Sequence, residues 1–201
     1  MLVVGLTGGI GCGKSEVRRR LLSAGFIVLD ADTLAKQLAE TDPVIITNIK
    51  KEFGEEMYDA AGHLQRKALA AIVFNDRKQL DKLNGIVHPR VISNVERKLE
   101  ALQQQGEKTA IVEAALHYEV HWNEAMDVMV VVNAPMATRI ARVMQRDGMD
   151  ETAVRRRMAN QLPLEEKVKR ANYVIENSGD LETLDAAVNK LVDWLKSRSS
   201  S

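Results

Sequence analysis

Short apolar runs recur at about residues 2–6, 26–29, 109–112, 128–132 and 173–175, with stretches of helical periodicity between them. Runs that are apolar throughout, such as Val128-Met129-Val130-Val131-Val132, suit strands buried on both faces of a parallel sheet. The alternation predicts an α/β chain. A helix is expected over about 16–24, closed by Gly25, and a longer one that Pro89 begins and Gly106 ends. In the longer helix Val91, Val95, Leu99 and Leu102 form one apolar stripe opposite a charged, glutamine-rich face. The serine-rich end at 197–201 reads as frayed.

The strand spacing is uneven. Between the second and third runs lie about eighty residues, far more than one crossover helix requires. That stretch reads as mostly helical, and it is the natural place for an inserted substrate-binding domain at about 33–106. A second excursion, about 146–170, is dense in arginine and could fold over a ligand as a lid. A chain of 201 residues otherwise fits one domain.

The first run leads into Gly8-Gly9-Ile10-Gly11-Cys12-Gly13-Lys14-Ser15, a complete G-x-x-x-x-G-K-[ST] phosphate loop between a strand and a helix. Its glycines let the backbone wrap a phosphate, and the helix that follows aims free N–H groups and its positive end at the anion. Lys14 would reach the β- and γ-phosphates, and the Ser15 hydroxyl would hold Mg²⁺. The chain is therefore expected to bind a nucleoside triphosphate on a P-loop NTPase core.

Composition narrows the partners. Lys+Arg and Asp+Glu both number 28, so no global field favours nucleic acid or a membrane surface. Aromatics at 4% offer little for base stacking. No run of about eighteen apolar residues and no secretory pattern is apparent, and the one cysteine, Cys12, cannot form an internal disulfide, so a cytoplasmic location is expected. Cys12 itself reads as filling a small-residue slot.

Other candidate residues cluster at strand ends. In an open parallel sheet, ligands bind outside the carboxyl ends of the strands. Asp30 and Asp32 follow the second run; one could take the proton of an attacking hydroxyl and the other hold Mg²⁺-bound water. Asp30 could equally cap the next helix, about 31–39. Glu113 ends the third run and could be an outer-shell ligand of Mg²⁺, whereas Glu119 is explained as well by a solvated loop. Thr7 could touch phosphate or substrate, or be a buried hydroxyl bonded to the backbone. A helix over about 135–146 places Arg139, Arg142 and Arg146 on one face, beside an apolar face of Met136, Ile140, Val143 and Met144. Planar arginine donors suit phosphoryl transfer. Arg155-Arg156-Arg157 fan around their helix, so only one or two could meet a phosphate. His88-Pro89-Arg90 reads as a helix junction, either a basic pair for an anionic substrate or a structural corner.

Together these residues resemble the dephospho-CoA kinase family over nearly the whole length. The resemblance rests on Leu6 through Ser15, Asp30-Ala31-Asp32, Ile86-Val87-His88-Pro89-Arg90, Arg142-Val143-Met144-Gln145-Arg146-Asp147, and Ala171-Asn172-Tyr173-Val174-Ile175-Glu176-Asn177-Ser178-Gly179. It implies a five-stranded parallel sheet flanked by helices, a helical CoA-binding insertion and a lid. It also implies that Gly9, Ile10, Gly11, Cys12, Gly13, Lys14 and Ser15 bind ATP phosphates. Asp32 would be the base toward a ribose hydroxyl, Arg142 would engage the transferring phosphate, and the region of Asn177 would lie near adenine. Thr7, His88 and Arg90 would form the dephospho-CoA side.

Some positions depart from that pattern. Cys12 stands where serine is more usual, Lys36 where arginine often follows, and Ala115 and His117 replace a proline and a leucine. A nucleoside or nucleotide kinase would share the same loop and lid. A GTPase-type switch is disfavoured: Asp59-Ala60-Ala61-Gly62 matches D-x-x-G but follows no buried strand, and no N-K-x-D motif occurs.

Overall fold

A computed structural model describes residues 1–73 and 76–199. In chain order the elements are β1 (Leu2–Gly8), α1 (Lys14–Ser23), β2 (Ile27–Asp30), α2 (Ala31–Thr41), α3 (Pro43–Phe53), α4 (Arg66–Val73), α5 (Arg77–Gln104), β3 (Thr109–Glu113), β4 (Val128–Asn133), α6 (Met136–Asp147), α7 (Glu151–Ala159), α8 (Leu164–Lys169), β5 (Tyr173–Glu176) and α9 (Leu181–Ser199). They divide into two compact units, Met1–Asp30 with Ala101–Ser201, and Ala31–Glu100.

In the first unit five strands pair in the order β2-β3-β1-β4-β5, all parallel. β1 is central, and its residues from Val4 onward are buried, as are all of β3. Val4, Leu6, Ile111, Val130 and Val132 pack with Leu184, Val188, Leu191 and Leu195 of α9 and with Val17 and Leu21 of α1 in one apolar core. The register sets Asp30 of β2 opposite Glu113 of β3, and Leu6 of β1 opposite the same Glu113. Two carboxylates thus leave the sheet side by side at the end where β1 passes into the phosphate loop. Gly25, at φ 88°, follows α1 in the left-handed conformation that ends a helix. The chain end is more ordered than the sequence suggests: Ser197 and Ser199 are helical, their hydroxyls donating to the Trp194 and Lys196 carbonyls, while 200–201 lie outside the described residues.

The second unit has its own core of Ile45, Ile49, Phe53, Met57, Tyr58, Leu64, Leu69 and Val73, against which Leu80, Leu83, Ile86 and Val87 pack. Asp42 caps α3 through the Val44 and Ile45 amides, with Pro43 following it. Asp59-Ala60-Ala61-Gly62 is a surface turn closed by the Tyr58–Leu64 bridge, Asp59 accepting from the Ala61 and His63 amides.

Pro89 corrects the sequence reading. It does not begin a helix but lies inside α5, so His88 and Arg90 sit mid-helix, not at a junction. Apolar residues on both sides of it are held: Leu83, Ile86 and Val87 pack on the second core, and Val91 and Val95 are buried. Their burial outweighs the roughly 3 kcal/mol cost of an interior proline. The carbonyl it crowds belongs to Gly85, the residue four positions earlier, where a Cβ would meet nothing within 4 Å.

Candidate active site

The phosphate loop is held at its carbonyls. The Ile10 carbonyl accepts from Arg139 Nε at 3.0 Å, and its N–H donates to Gln161 Oε1 at 3.1 Å. The Cys12 carbonyl accepts from Asn177 Nδ2 at 2.8 Å, and Arg142 Nη1 donates to the Asn177 carbonyl at 3.2 Å. Gly11 and Gly13 lie at φ 80° and 86°; a Cβ on Gly11 would stand 2.5 Å from the Arg139 carbonyl, and one on Gly13 would collide with the Asn177 amide. Only glycine fits either place. Gly13 is also the N-cap of α1 and no side chain caps that first turn, which suits an anion on its amides. Cys12 is buried, which pushes its thiol up and leaves it a packing residue.

Charges gather where the loop meets the helix. Lys14 Nζ lies 3.8 Å from Glu113 Oε1. Arg18, one turn further along α1, pairs with Asp30 Oδ2, and its Nε stands 3.3 Å from Glu113 Oε2. Glu113 has only 4% of its side chain exposed, and its buried Oε2, though near that guanidinium, lacks a partner in hydrogen-bond geometry. Ser15 is exposed in the first turn of α1. No sequence motif marked Arg18; its four-residue spacing from Lys14 was the available signal.

Behind β3 the segment 113–119 is braced from α8. The Ala115 carbonyl accepts from Lys167 Nζ at 2.9 Å and from Thr7 Oγ1 at 3.3 Å. Lys167 is fully buried and pairs with Glu119 at 2.7 Å, and Glu119 also accepts from the Leu162 amide. Glu119 is therefore no solvated loop residue: a buried ammonium needs a carboxylate, and Glu119 supplies it. Thr7 has the backbone-bonded hydroxyl that was one of its two readings. His117 is buried, its Nε2 2.9 Å from the Val112 carbonyl and its ring 5.1 Å from that of Trp122.

Other expected residues have different surroundings. On α6, Arg139 is buried and Arg142 reaches Asn177, but Arg146 turns to Asp147 in solvent. Met136 and Met144 are exposed beside buried Ile140 and Val143, because Arg139 takes the inward place next to the loop. Arg155 pairs with Glu151, and Arg157 with Asp147. In the second unit Asp32 is exposed in the first turn of α2. Burial pushes His88 below the usual histidine range, opposed by the charge of Asp32. Arg90 binds Asp42 Oδ2 through Nε and Nη2 at 2.9 and 2.7 Å and so braces the α3 cap.

The family model for dephospho-CoA kinase matches residues 2–183. The chain belongs to the dephospho-CoA kinase family. A dephospho-CoA kinase from Thermobifida fusca is 41% identical over 202 residues, covering all of both chains. One from Corynebacterium glutamicum is 37% identical over 198 residues, covering 98% of this chain and 99% of its own. A crystal structure from Thermus thermophilus superposes with a TM-score of 0.81 at 36% identity, over 96% of this chain and 97% of that one. A dephospho-CoA kinase from Campylobacter jejuni, at 24% identity and TM-score 0.64 over 96% of each chain, shares the fold. The fold is a P-loop kinase core.

Within this dephospho-CoA kinase family member the departures at 115 and 117 have definite surroundings. The Ala115 carbonyl, where proline would be usual, is fixed by two donors. His117 replaces an apolar residue at a fully buried place, and desolvation, with smaller effects from Lys167 and Lys14, depresses it to about 4. Unfolded, it titrates near 6.5, so between about 4 and 6.5 the unfolded chain binds the extra proton and stability falls as pH falls. His117→Leu is expected to remove up to about 3 kcal/mol of that acid sensitivity while keeping neutral-pH stability, measured as urea midpoints at several pH values. An unchanged acid slope in the variant would place the sensitivity elsewhere.

Proposed function

We propose that this chain transfers the terminal phosphoryl group of ATP to the 3′-hydroxyl of the ribose of dephospho-CoA, giving coenzyme A and ADP, the final step of CoA biosynthesis. The observation that carries the reading is the family match across 2–183, a span that holds the whole phosphate loop, Asp32, Glu113, Arg142 and Asn177. The substrate oxygen attacks the γ-phosphorus, the bond from that phosphorus to the bridging oxygen breaks, ADP leaves, and the hydroxyl proton goes to Asp32.

The residues divide that work. The amides from Gly9 to Ser15 cradle the phosphates, and Lys14 meets the β- and γ-oxygens. Arg142, tethered beside Asn177, stabilises charge on the transferring group. The region of Asn177 lies near adenine. Exposed Ser15 and buried Glu113, with its unsatisfied Oε2, suit a hard divalent cation, Glu113 acting through water. Mg²⁺ held there would neutralise charge on the phosphate oxygens. Asp32 stands two residues past the end of β2, exposed and therefore reachable. Thr7, His88 and Arg90 belong to the acceptor side, Arg90 by shaping α3 through Asp42. The unit Ala31–Glu100 supplies surface for the pantetheine arm.

Among the described residues no helix is long and apolar enough to cross a membrane. We place the reaction in the cytoplasm, with ATP and dephospho-CoA as its small-molecule partners and no nucleic acid.

The test offers dephospho-CoA, AMP, adenosine and pantetheine phosphate side by side and measures ADP. Dephospho-CoA should lead by orders of magnitude in kcat/KM, since binding energy from the remote arm positions the hydroxyl. Phosphorus NMR should show a new 3′-monoester. Equal rates with AMP, or a lengthened polyphosphate chain, would favour a nucleotide kinase.

The arginine-rich stretch of about 146–170 acts as the lid in this reading. Hydrogen exchange there should slow when ATP and dephospho-CoA are both bound, because closure excludes water as a competing acceptor. The change should concentrate before Gln161, since Lys167 already fixes α8 to the Ala115 carbonyl. Identical exchange with and without ligands would remove the lid.

A further inference from the structure

Asp30 and Glu113 are register partners on neighbouring strands. Like charges directly opposite on one sheet repel, and the cation that stands by both is the Arg18 guanidinium. Glu113 is almost wholly out of water, so its charge must be met by protein. Two cations attend it: Arg18 at Oε2, 3.3 Å away, and Lys14 at Oε1, 3.8 Å away. Lys14 in turn has two claimants, Glu113 and any phosphate in the loop. A buried carboxylate deprived of one cation leans on the other. Which claimant Lys14 serves therefore depends on how well Arg18 serves Glu113.

We propose that Arg18 is a positioning residue of the phosphate site: it meets Glu113 and Asp30 so that Lys14 stays available to the nucleotide. Arg18 needs no contact with the nucleotide itself. The proposal rests on the reading of Gly8 to Ser15 as the nucleotide phosphate site, but not on the identity of the acceptor.

The test is equilibrium binding of a fluorescent ADP analogue in EDTA, so that no metal enters, with competition by ADP. Arg18→Met should weaken ADP about tenfold, the scale of one charge-assisted contact. Adding Glu113→Gln to Arg18→Met should bring the affinity back to within about threefold of wild type, because the claim on Lys14 is gone. Arg19→Met removes the same charge from an exposed neighbour on α1 and should change binding less than about twofold. Arg18→Lys should lose an intermediate amount, also cancelled by Glu113→Gln, and decides the matter should Arg18→Met not fold.

Wild-type affinity in Arg18→Met overturns the proposal. So does a double variant as weak as the single, since a general packing defect would not be repaired at Glu113. An equal loss in Arg19→Met would assign the effect to the overall field, again against it. A wild-type protein that does not bind ADP removes the phosphate-site reading and this proposal together. ADP binding without dephospho-CoA turnover removes only the acceptor.

Discussion

Lys14→Ala is expected to lower kcat/KM by about 10²–10³, the scale of losing one preorganised donor to developing charge. Lys14 is the first residue of α1, and its ammonium already points toward the edge where β3 ends. It contributes charge to the β- and γ-phosphates, not packing to the core. Its removal leaves Glu113 with one cation, yet Arg18 remains beside it. Folding should therefore survive, with a small fall in Tm. Steady-state kinetics together with circular dichroism give the answer: a well-folded Lys14→Ala protein with near-normal turnover would mean that phosphate is transferred elsewhere.

Asp32→Asn is expected to lower kcat by about 10²–10⁴, the usual range for a positioned acid–base group, with ATP affinity little changed. The amide keeps the shape but cannot take the ribose proton. The informative comparison is Asp30→Asn. Asp30 is bound to Arg18 at the end of β2, whereas Asp32 is exposed in the first turn of α2. The Asp30 oxygen that meets Arg18 is already engaged in an ion pair. Asp30→Asn should accordingly be the milder variant, and its effect should appear in nucleotide binding. If the two phenotypes are exchanged, the base is Asp30.

The sheet was legible from apolar runs, but each strand continues past its run. The runs end at about 6, 29, 112, 132 and 175, while the strands end at Gly8, Asp30, Glu113, Asn133 and Glu176. Backbone pairing does not read side chains, so it carries on into the glycine or polar residue beyond each run. The loop was legible because its glycines answer a backbone need. What escaped were pairings between residues far apart in sequence. Gln161 lies 151 residues from the Ile10 amide it accepts from, and Arg139 lies 129 residues from the Ile10 carbonyl. Nothing in local periodicity announces such a bond. Lys167 lies in a short helix of mixed charge, Leu164–Lys169, and only its pairing with Glu119 and the Ala115 carbonyl gives it a place. Pro89 misled because a local rule was overruled by packing on either side of it.

The loop also carries its own gauge. Cys12 is the one thiol of the chain, it is sealed within the phosphate loop, and its carbonyl is clasped by Asn177. Its side chain is buried, so a thiol reagent can meet it only when the packing around it opens. The rate of labelling of the unaltered protein would thus count how often that packing opens, and a nucleotide seated on the loop would lengthen the interval. A serine in the same slot would hold the same backbone and keep no such record.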